Sequence, residues 1–227
     1  MARIRGAPGA GGRLLTVKLQ AVIFDLGGVL MRNGGPADFT DRFPDADPAV
    51  VLPILMGPYG EDTDHPWHRV ERGEITLAEC RAANRLALAE AGLSLSVAPG
   101  PPSITFIPND EMVALVVDLR AAGLRTGLLT NNVREFRERW WSVLPYAELF
   151  DDIIDSHECG MRKPNPAIYA LALERLGVMA AESAFLDDIA TNVTAARSVG
   201  MHAFLVVDDG TEAIADIRRL AGISPRP

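Results

Sequence analysis

Gln20-Ala21-Val22-Ile23-Phe24-Asp25-Leu26-Gly27-Gly28-Val29-Leu30 is the stretch that decides the fold. An apolar run stops at one carboxylate, and glycines follow it at once. Such a run reads as a strand buried on both faces, as in a parallel sheet, and the glycines as a loop leaving its carboxyl end. In open α/β sheets ligands bind at that end of the strands. Asp25 is therefore placed to act as a nucleophile or a metal ligand. Position 27 is Gly, so the loop carries this one carboxylate.

Outward from this strand (residues 18–24) the chain has two textures. Residues 31–108 are rich in Pro and Gly, with a helical patch at 76–91. There Thr76 and Glu79 resemble a capping box, and Leu77, Cys80, Leu86 and Leu88 suggest an apolar stripe. Pro99-Gly100-Pro101-Pro102 looks like a breaker or linker. From Asn109 on, strand and helix patterns alternate. Helices are expected at 111–122 (capped by Asn109 or Asp110), 134–143, 166–176, 190–199 and 211–220. Strands are expected at 125–129, 152–155, 183–186 and 203–207. Pro166 opens one helix, and Gly123, Gly177 and Gly200 close others. Repeated alternation implies a doubly wound parallel sheet with helices on both faces, an α/β fold. The expected organisation is a flexible leader at 1–17, a core at 18–30 and 109–227, and a small helical cap inserted at 31–108.

Composition limits the partners. With 227 residues and 48% hydrophobic side chains, the chain is long enough for one sizeable core with an insert. A net charge of −8 argues against a nucleic-acid surface, which needs clustered Lys and Arg. Any phosphate site must then be local. Cys80 and Cys159 form no disulfide framework, and no apolar stretch approaches the roughly 18 residues of a membrane span. A cytoplasmic enzyme without membrane or nucleic-acid partners is the expectation, as a monomer or homodimer. The Gly-rich start lacks an apolar signal region and precedes the first strand, so it implies neither a secretory signal nor a dinucleotide loop.

In such a sheet the loops after the strands converge. They carry Asp25; Thr130-Asn131-Asn132; Gly160-Met161-Arg162-Lys163-Pro164; and Asp187-Asp188. Three carboxylates, a hydroxyl, an ammonium and loop amides suit a hard cation beside a cradle for an oxyanion. Phosphoryl transfer to a carboxylate fits that set.

These loops resemble the four motifs of the haloacid dehalogenase-like superfamily, over nearly all of residues 18–220. The nearest resemblance is to the branch that holds the phosphatase domain of soluble epoxide hydrolase and bacterial sugar-phosphate phosphatases. In that branch Glu71-Arg72-Gly73-Glu74-Ile75 looks like a typical cap segment. The resemblance implies a Mg²⁺-dependent phosphatase acting on a small phosphorylated metabolite, such as a sugar phosphate. Asp25 would form an aspartyl-phosphate and bind Mg²⁺, and the Gly27 carbonyl would also face the metal. Asp188 would be a direct ligand and Asp187 an outer or water-mediated one. Thr130 and the Asn131 amide would hold phosphoryl oxygens, Lys163 would pair with Asp25 and the transferring group, and Asn192 would give support.

The chain departs from the family pattern at Gly27, where phosphatases usually carry the Asp that protonates the leaving oxygen and later activates water. That group is worth roughly 10²- to 10⁴-fold. Three readings stay open: a slower enzyme favouring good leaving groups, a proton donor from elsewhere such as the cap, or a scaffold that binds without turnover. Dehalogenation of 2-haloacids tolerates a non-Asp residue at 27, but needs no metal. The Asp187-Asp188 pair would then oppose a carboxylate substrate. His65, His68 and Trp67 read as cap packing, since no carboxylate spacing makes them a zinc site. Arg32 and Arg69 are lesser candidates for touching substrate. Trp140 and Trp141 read as packing, and Cys159 as a buried small residue.

Overall fold

Within the first strand, β1 (Ala21–Phe24), successive side chains go to opposite faces, and every one is buried. Val22 and Phe24 join one apolar cluster with Met112, Leu115, Val116 and Leu119, while Ala21 and Ile23 join another with Ile168, Tyr169, Ala172 and Val193. One strand thus has a helix layer on each side, which is why its run is continuously apolar. The computed structural model describes residues 18–32, 47–93 and 106–224. The expected leader and the Pro99-Gly100-Pro101-Pro102 breaker lie outside them.

After β1 come α1 (Pro48–Met56), α2 (Pro66–Glu71) and α3 (Leu77–Glu90), then α4 (Asp110–Ala121) and β2 (Arg125–Thr130). A 3₁₀ turn (Arg134–Phe136), α5 (Arg137–Trp141) and α6 (Tyr146–Leu149) lead to β3 (Asp152–Asp155). The chain continues through α7 (Ser156–Cys159), α8 (Pro166–Leu176), β4 (Ser183–Asp187), α9 (Ala190–Ser198), β5 (His202–Leu205) and α10 (Thr211–Ala221). The strands form one parallel sheet in the order β3-β2-β1-β4-β5. The fold is therefore the doubly wound α/β sheet expected. Strand order runs outward from β1 through β2 to β3, then returns to its other side at β4. That makes the β1/β4 boundary the switch point, where a crevice opens outside the strand ends.

Local chemistry accounts for most boundaries. Pro166 starts α8 after Asn165, whose side chain accepts from the Ala167 amide, and Gly177 ends the helix at φ 62°. The capping box at Thr76 and Glu79 is formed. The stripe on α3 differs from expectation. Leu86 is 70% exposed, and Asn84 takes the inward position, donating from Nδ2 to the Leu55 carbonyl at 2.9 Å. Leu86 and Leu88 are two residues apart, about 200° around a helix, so they cannot share a face. The single helix expected at 134–143 is instead a 3₁₀ turn followed by the short α5, with Pro145 just beyond. Asn109 precedes α4 without capping it by side chain; its Nδ2 donates to the Asp209 carbonyl at 3.2 Å. Between β1 and α4, the helices α1, α2 and α3 pack on one another, with Val51 and Leu88 at the centre of a small cluster of their own. Among the described residues no helix is long and apolar enough to cross a membrane.

Candidate active site

The ends of β1 and β4 are hydrogen-bonded neighbours: the Asp25 amide donates to the Leu186 carbonyl at 2.9 Å. This puts Asp25, Asp187 and Asp188 at the switch point, with one carboxylate oxygen from each lying within 4.8 Å of the others. Lys163 enters from the loop before α8. Its Nζ lies 2.8 Å from Asp25 Oδ1 and 2.6 Å from Asp187 Oδ2, and the residue is 1% exposed. Burial alone would lower the ammonium's pKa, but the charges of Asp187 and Asp25 outweigh it and leave it above its ordinary value.

Asp187 is fully buried and has other donors: the Ile189 amide at 2.8 Å and Asn192 Nδ2 at 3.0 and 3.1 Å. It holds Lys163 in position while Asn192 holds it. Asp188 is less enclosed and packs so closely on Gly28 that a Cβ there would come within 2.3 Å of its Oδ2. Gly28 also has φ +70°, so both space and backbone call for glycine. Burial, then the charge of Asp187, raises the Asp188 carboxyl to about 6. Asp25 is likewise pushed well above the usual carboxylate range, by burial first and by Asp187 and Asp188 next, against the pull of Lys163. Three clustered carboxylates against one ammonium leave negative charge uncompensated. A hard divalent cation with oxygen ligands fits this donor set.

The second loop is laced to the third. Asn131 Nδ2 donates to the Lys163 carbonyl at 2.9 Å, and the Lys163 amide donates to Asn131 Oδ1 at 2.7 Å. The Asn131 side chain is thus a brace for the lysine backbone. Thr130 Oγ1 lies 3.5 Å from the Asn131 carbonyl, too far to be held by it. Asn132 also lines the space above the loops, and its backbone amide donates to Ser156 Oγ at 2.9 Å.

Above these loops is a cleft of about 470 Å³, a volume that includes space open to solvent. Gly27, Thr130 and Asn131 line it from the sheet side, and Met56, Tyr59, Trp67 and Glu71 from α1, α2 and the segment joining them. Phe106 and Phe136 complete an apolar rim. Glu71 is the unanticipated residue. The 71–75 run reads in the sequence only as a cap segment, yet Glu71 is 1% exposed and accepts from Arg162 Nε at 2.7 Å and Trp67 Nε1 at 2.8 Å. Arg162 also donates to the carbonyls of Glu61 and Tyr59, so the residue beside Lys163 ties α2 to the sheet. A signal existed: Trp67 and Glu71 are four apart on one helix, hence on one face. Tyr59, in a Pro- and Gly-rich stretch without periodicity, offered none.

The lesser candidates fall elsewhere. His65 caps α2, accepting from the Trp67 amide at 3.1 Å. His68 is buried against Thr63, and burial, then Arg162, pushes it down to about 4, so it is neutral. Arg69 pairs with Glu74 at 3.1 Å. Trp140 is fully buried, and Trp141 is 39% exposed under the Arg137 guanidinium. Burial raises both thiols, Cys80 to about 12, so neither is poised as a thiolate.

A haloacid dehalogenase-like hydrolase family model matches residues 19–200. The chain belongs to that family. Among curated relatives, this hydrolase is 30% identical over 210 residues to the sesquiterpene phosphatase astK of Aspergillus oryzae, covering 89% of this chain and 97% of that one. It is 31% identical over 221 residues to acyl-CoA dehydrogenase family member 10 of Mus musculus, covering 94% of this chain but 20% of that protein. The hydrolase thus spans about a fifth of the length of that larger relative. Among solved structures, a HAD family enzyme from Bacteroides thetaiotaomicron, in complex with magnesium and inorganic phosphate, superposes with a TM-score of 0.58 at 22% identity. The match covers 86% of this chain and 98% of that one, and shows the shared fold.

Proposed function

We propose that this hydrolase is a Mg²⁺-dependent phosphomonoesterase that works through an aspartyl-phosphate on Asp25. The observation that carries it is the pairing of Lys163 with both Asp25 and Asp187, beside Asp188, in one buried cluster at the switch point. Asp25, Asp188 and the Gly27 carbonyl would hold the metal, with Asp187 behind them fixing Lys163. When bound there, Mg²⁺ supplies positive charge to the transferring phosphoryl group. Asp25 attacks phosphorus as the ester oxygen leaves, and water then attacks the phosphoryl group on Asp25. Lys163, Thr130 and the Asn131 amide steady the phosphoryl oxygens through both steps. Residues 31–108 act as the cap, excluding water over a core of 18–30 and 109–227.

The cavity walls bear on the substrate. Met56, Trp67, Val133, Phe106 and Phe136 present hydrocarbon to the space where the leaving group sits. They suit an ester with an apolar skeleton better than the sugar phosphate suggested by resemblance alone, and the sesquiterpene phosphatase relative points the same way. Phosphate release from a panel of alkyl, aryl, terpenoid and sugar phosphates, with and without Mg²⁺, tests this. Release should require the metal, favour the hydrocarbon esters, and fall roughly 10⁴- to 10⁶-fold in Asp25→Asn, the scale of a lost nucleophile. Turnover that survives chelation or Asp25→Asn would overturn the mechanism. Mg²⁺-dependent trapping of beryllium fluoride without turnover would make the protein a binding scaffold instead.

A further inference from the structure

Gly27 leaves the β1 loop without a side chain for proton transfer, yet the cavity it lines holds one buried carboxyl with no part in binding metal. Glu71, the last residue of α2, faces Gly27, Thr130 and Asn131 across that space. Its Oε2 accepts from Arg162 Nε at 2.7 Å, and its Oε1 accepts from Trp67 Nε1 at 2.8 Å and, at a long 3.4 Å, from the Tyr59 hydroxyl. These donors take three of about four acceptor sites on a carboxylate and leave one for a proton.

Two opposing influences act on this group. Burial raises the Glu71 carboxyl above its ordinary range, while Arg162, Trp67 and Lys163 pull it down. Burial, the larger influence, favours the protonated form, and Arg162 favours the ionised one. Tyr59 is a poorer candidate: burial and the charges of Glu71, Asp25 and Asp188 push its phenol well up, with Arg162 opposing. A phenolate there would face three carboxylates.

We propose that Glu71 is the general acid and base of the phosphatase reaction, in place of the side chain absent at Gly27. The assignment rests on the phosphatase reading. In the first half-reaction the bond from phosphorus to the leaving oxygen breaks as the bond from Asp25 to phosphorus forms, and the Glu71 proton goes to the leaving oxygen. In the second, a water oxygen bonds to phosphorus, the Asp25–phosphorus bond breaks, and a proton from that water returns to Glu71. One proton cycles, and no other reactant is required. Arg162 and Trp67 are positioning residues that keep the carboxyl aimed and stabilise it once ionised.

The test compares two leaving groups in one preparation. Phosphate release from n-hexyl phosphate, whose alkoxide needs a proton, is set against p-nitrophenyl phosphate, whose phenolate does not. In Glu71→Gln with Mg²⁺, kcat/KM for the hexyl ester should fall roughly 10²- to 10⁴-fold, and for the nitrophenyl ester by less than about 10-fold. The ratio of the two is independent of how much of the variant is folded. Equal losses, or none, would overturn the role of Glu71. Should the variant not fold at all, the wild-type protein decides. Its hexyl-to-nitrophenyl ratio should decline as rising pH strips the Glu71 proton, with Arg162, Lys163, Trp67 and Tyr59 as the groups facing it. A ratio that does not decline at any pH at which the protein stays folded overturns the assignment. Wild-type protein that hydrolyses neither ester overturns the phosphatase reading and this role with it, whereas activity on both with an unchanged ratio removes only Glu71.

Discussion

The floor and the roof of the cavity are held by different forces. On the floor, polar side chains fix one another in a chain: Asn192 holds Asp187, Asp187 holds Lys163, and Lys163 holds Asp25. On the roof, Met56 and Trp67 are fixed mainly by burial, and Tyr59 is half-buried. Trp67 and Tyr59 also donate to Glu71, and among the described residues the Glu71–Arg162 pair is the ionic link down to the sheet. A network of buried charges fails as a unit when one member goes, because the partner is left uncompensated in a poorly polarisable surrounding. A packed apolar wall yields by degrees. The floor, with Glu71 above it, should therefore govern whether chemistry occurs, and the apolar wall of the roof which ester it occurs on.

Lys163→Met strikes the floor hardest. It strands Asp187, which is fully buried, and breaking such a pair costs about 3–5 kcal/mol. Urea unfolding of the metal-free protein should show a loss of that size, and turnover should vanish together with it. A variant as stable as the wild type would mean that Asn192 and the Ile189 amide suffice for Asp187, and that the floor is not a unit.

This division also separates what the sequence discloses from what it hides. Asp25, Thr130, Lys163 and Asp187-Asp188 can be read because each sits directly after a strand or before a helix with clear periodicity, and parallel strands bring such loops together. The parallel, doubly wound sheet follows from the same alternation, whereas the strand order is seen in the structure. The roof comes from 31–108, where Pro and Gly break up the periodicity and contacts are set by tertiary packing. Only the four-residue spacing from Trp67 distinguishes buried Glu71 from Glu74, three residues on, whose carboxylate pairs at the surface with Arg69 and Arg72. Likewise the Asp187 side chain, read as an outer metal ligand, is engaged by Lys163 from the loop before α8 and by the Ile189 amide and Asn192 at the start of α9.

A milder probe of the floor is the metal itself. With Asp188 raised to about 6 and Asp25 also raised, the folded metal-free protein favours protonated carboxyls more than the unfolded chain does. Their stabilising contribution is therefore complete below the ordinary value of 3.8 and is lost as pH rises through about 6. Mg²⁺ binds the ionised forms, so its protection should grow over that same window. At 100 times the dissociation constant it should add about 2.7 kcal/mol, or roughly 5–10 °C in Tm, near neutral pH and clearly less near pH 5. Equal protection at both pH values would mean that other groups bind the metal.

The smallest effect is expected on the apolar wall of the roof, where it is also most selective. Phe106 lines the cavity but is only half-buried, so Phe106→Ala removes wall without emptying a core. Full burial of such a side chain is worth about 1.5–3 kcal/mol, and half of that is about 1 kcal/mol, or about fivefold. KM for hydrocarbon phosphates should rise by about that factor. The kcat for those esters should hold, as should KM for a small ester such as methyl phosphate, which is too short to reach the wall. A fall in kcat for every ester would place Phe106 in the machinery of the floor. An unchanged KM would show that the leaving group lies elsewhere in the cavity, and the apolar preference would then have to come from Met56 and Trp67.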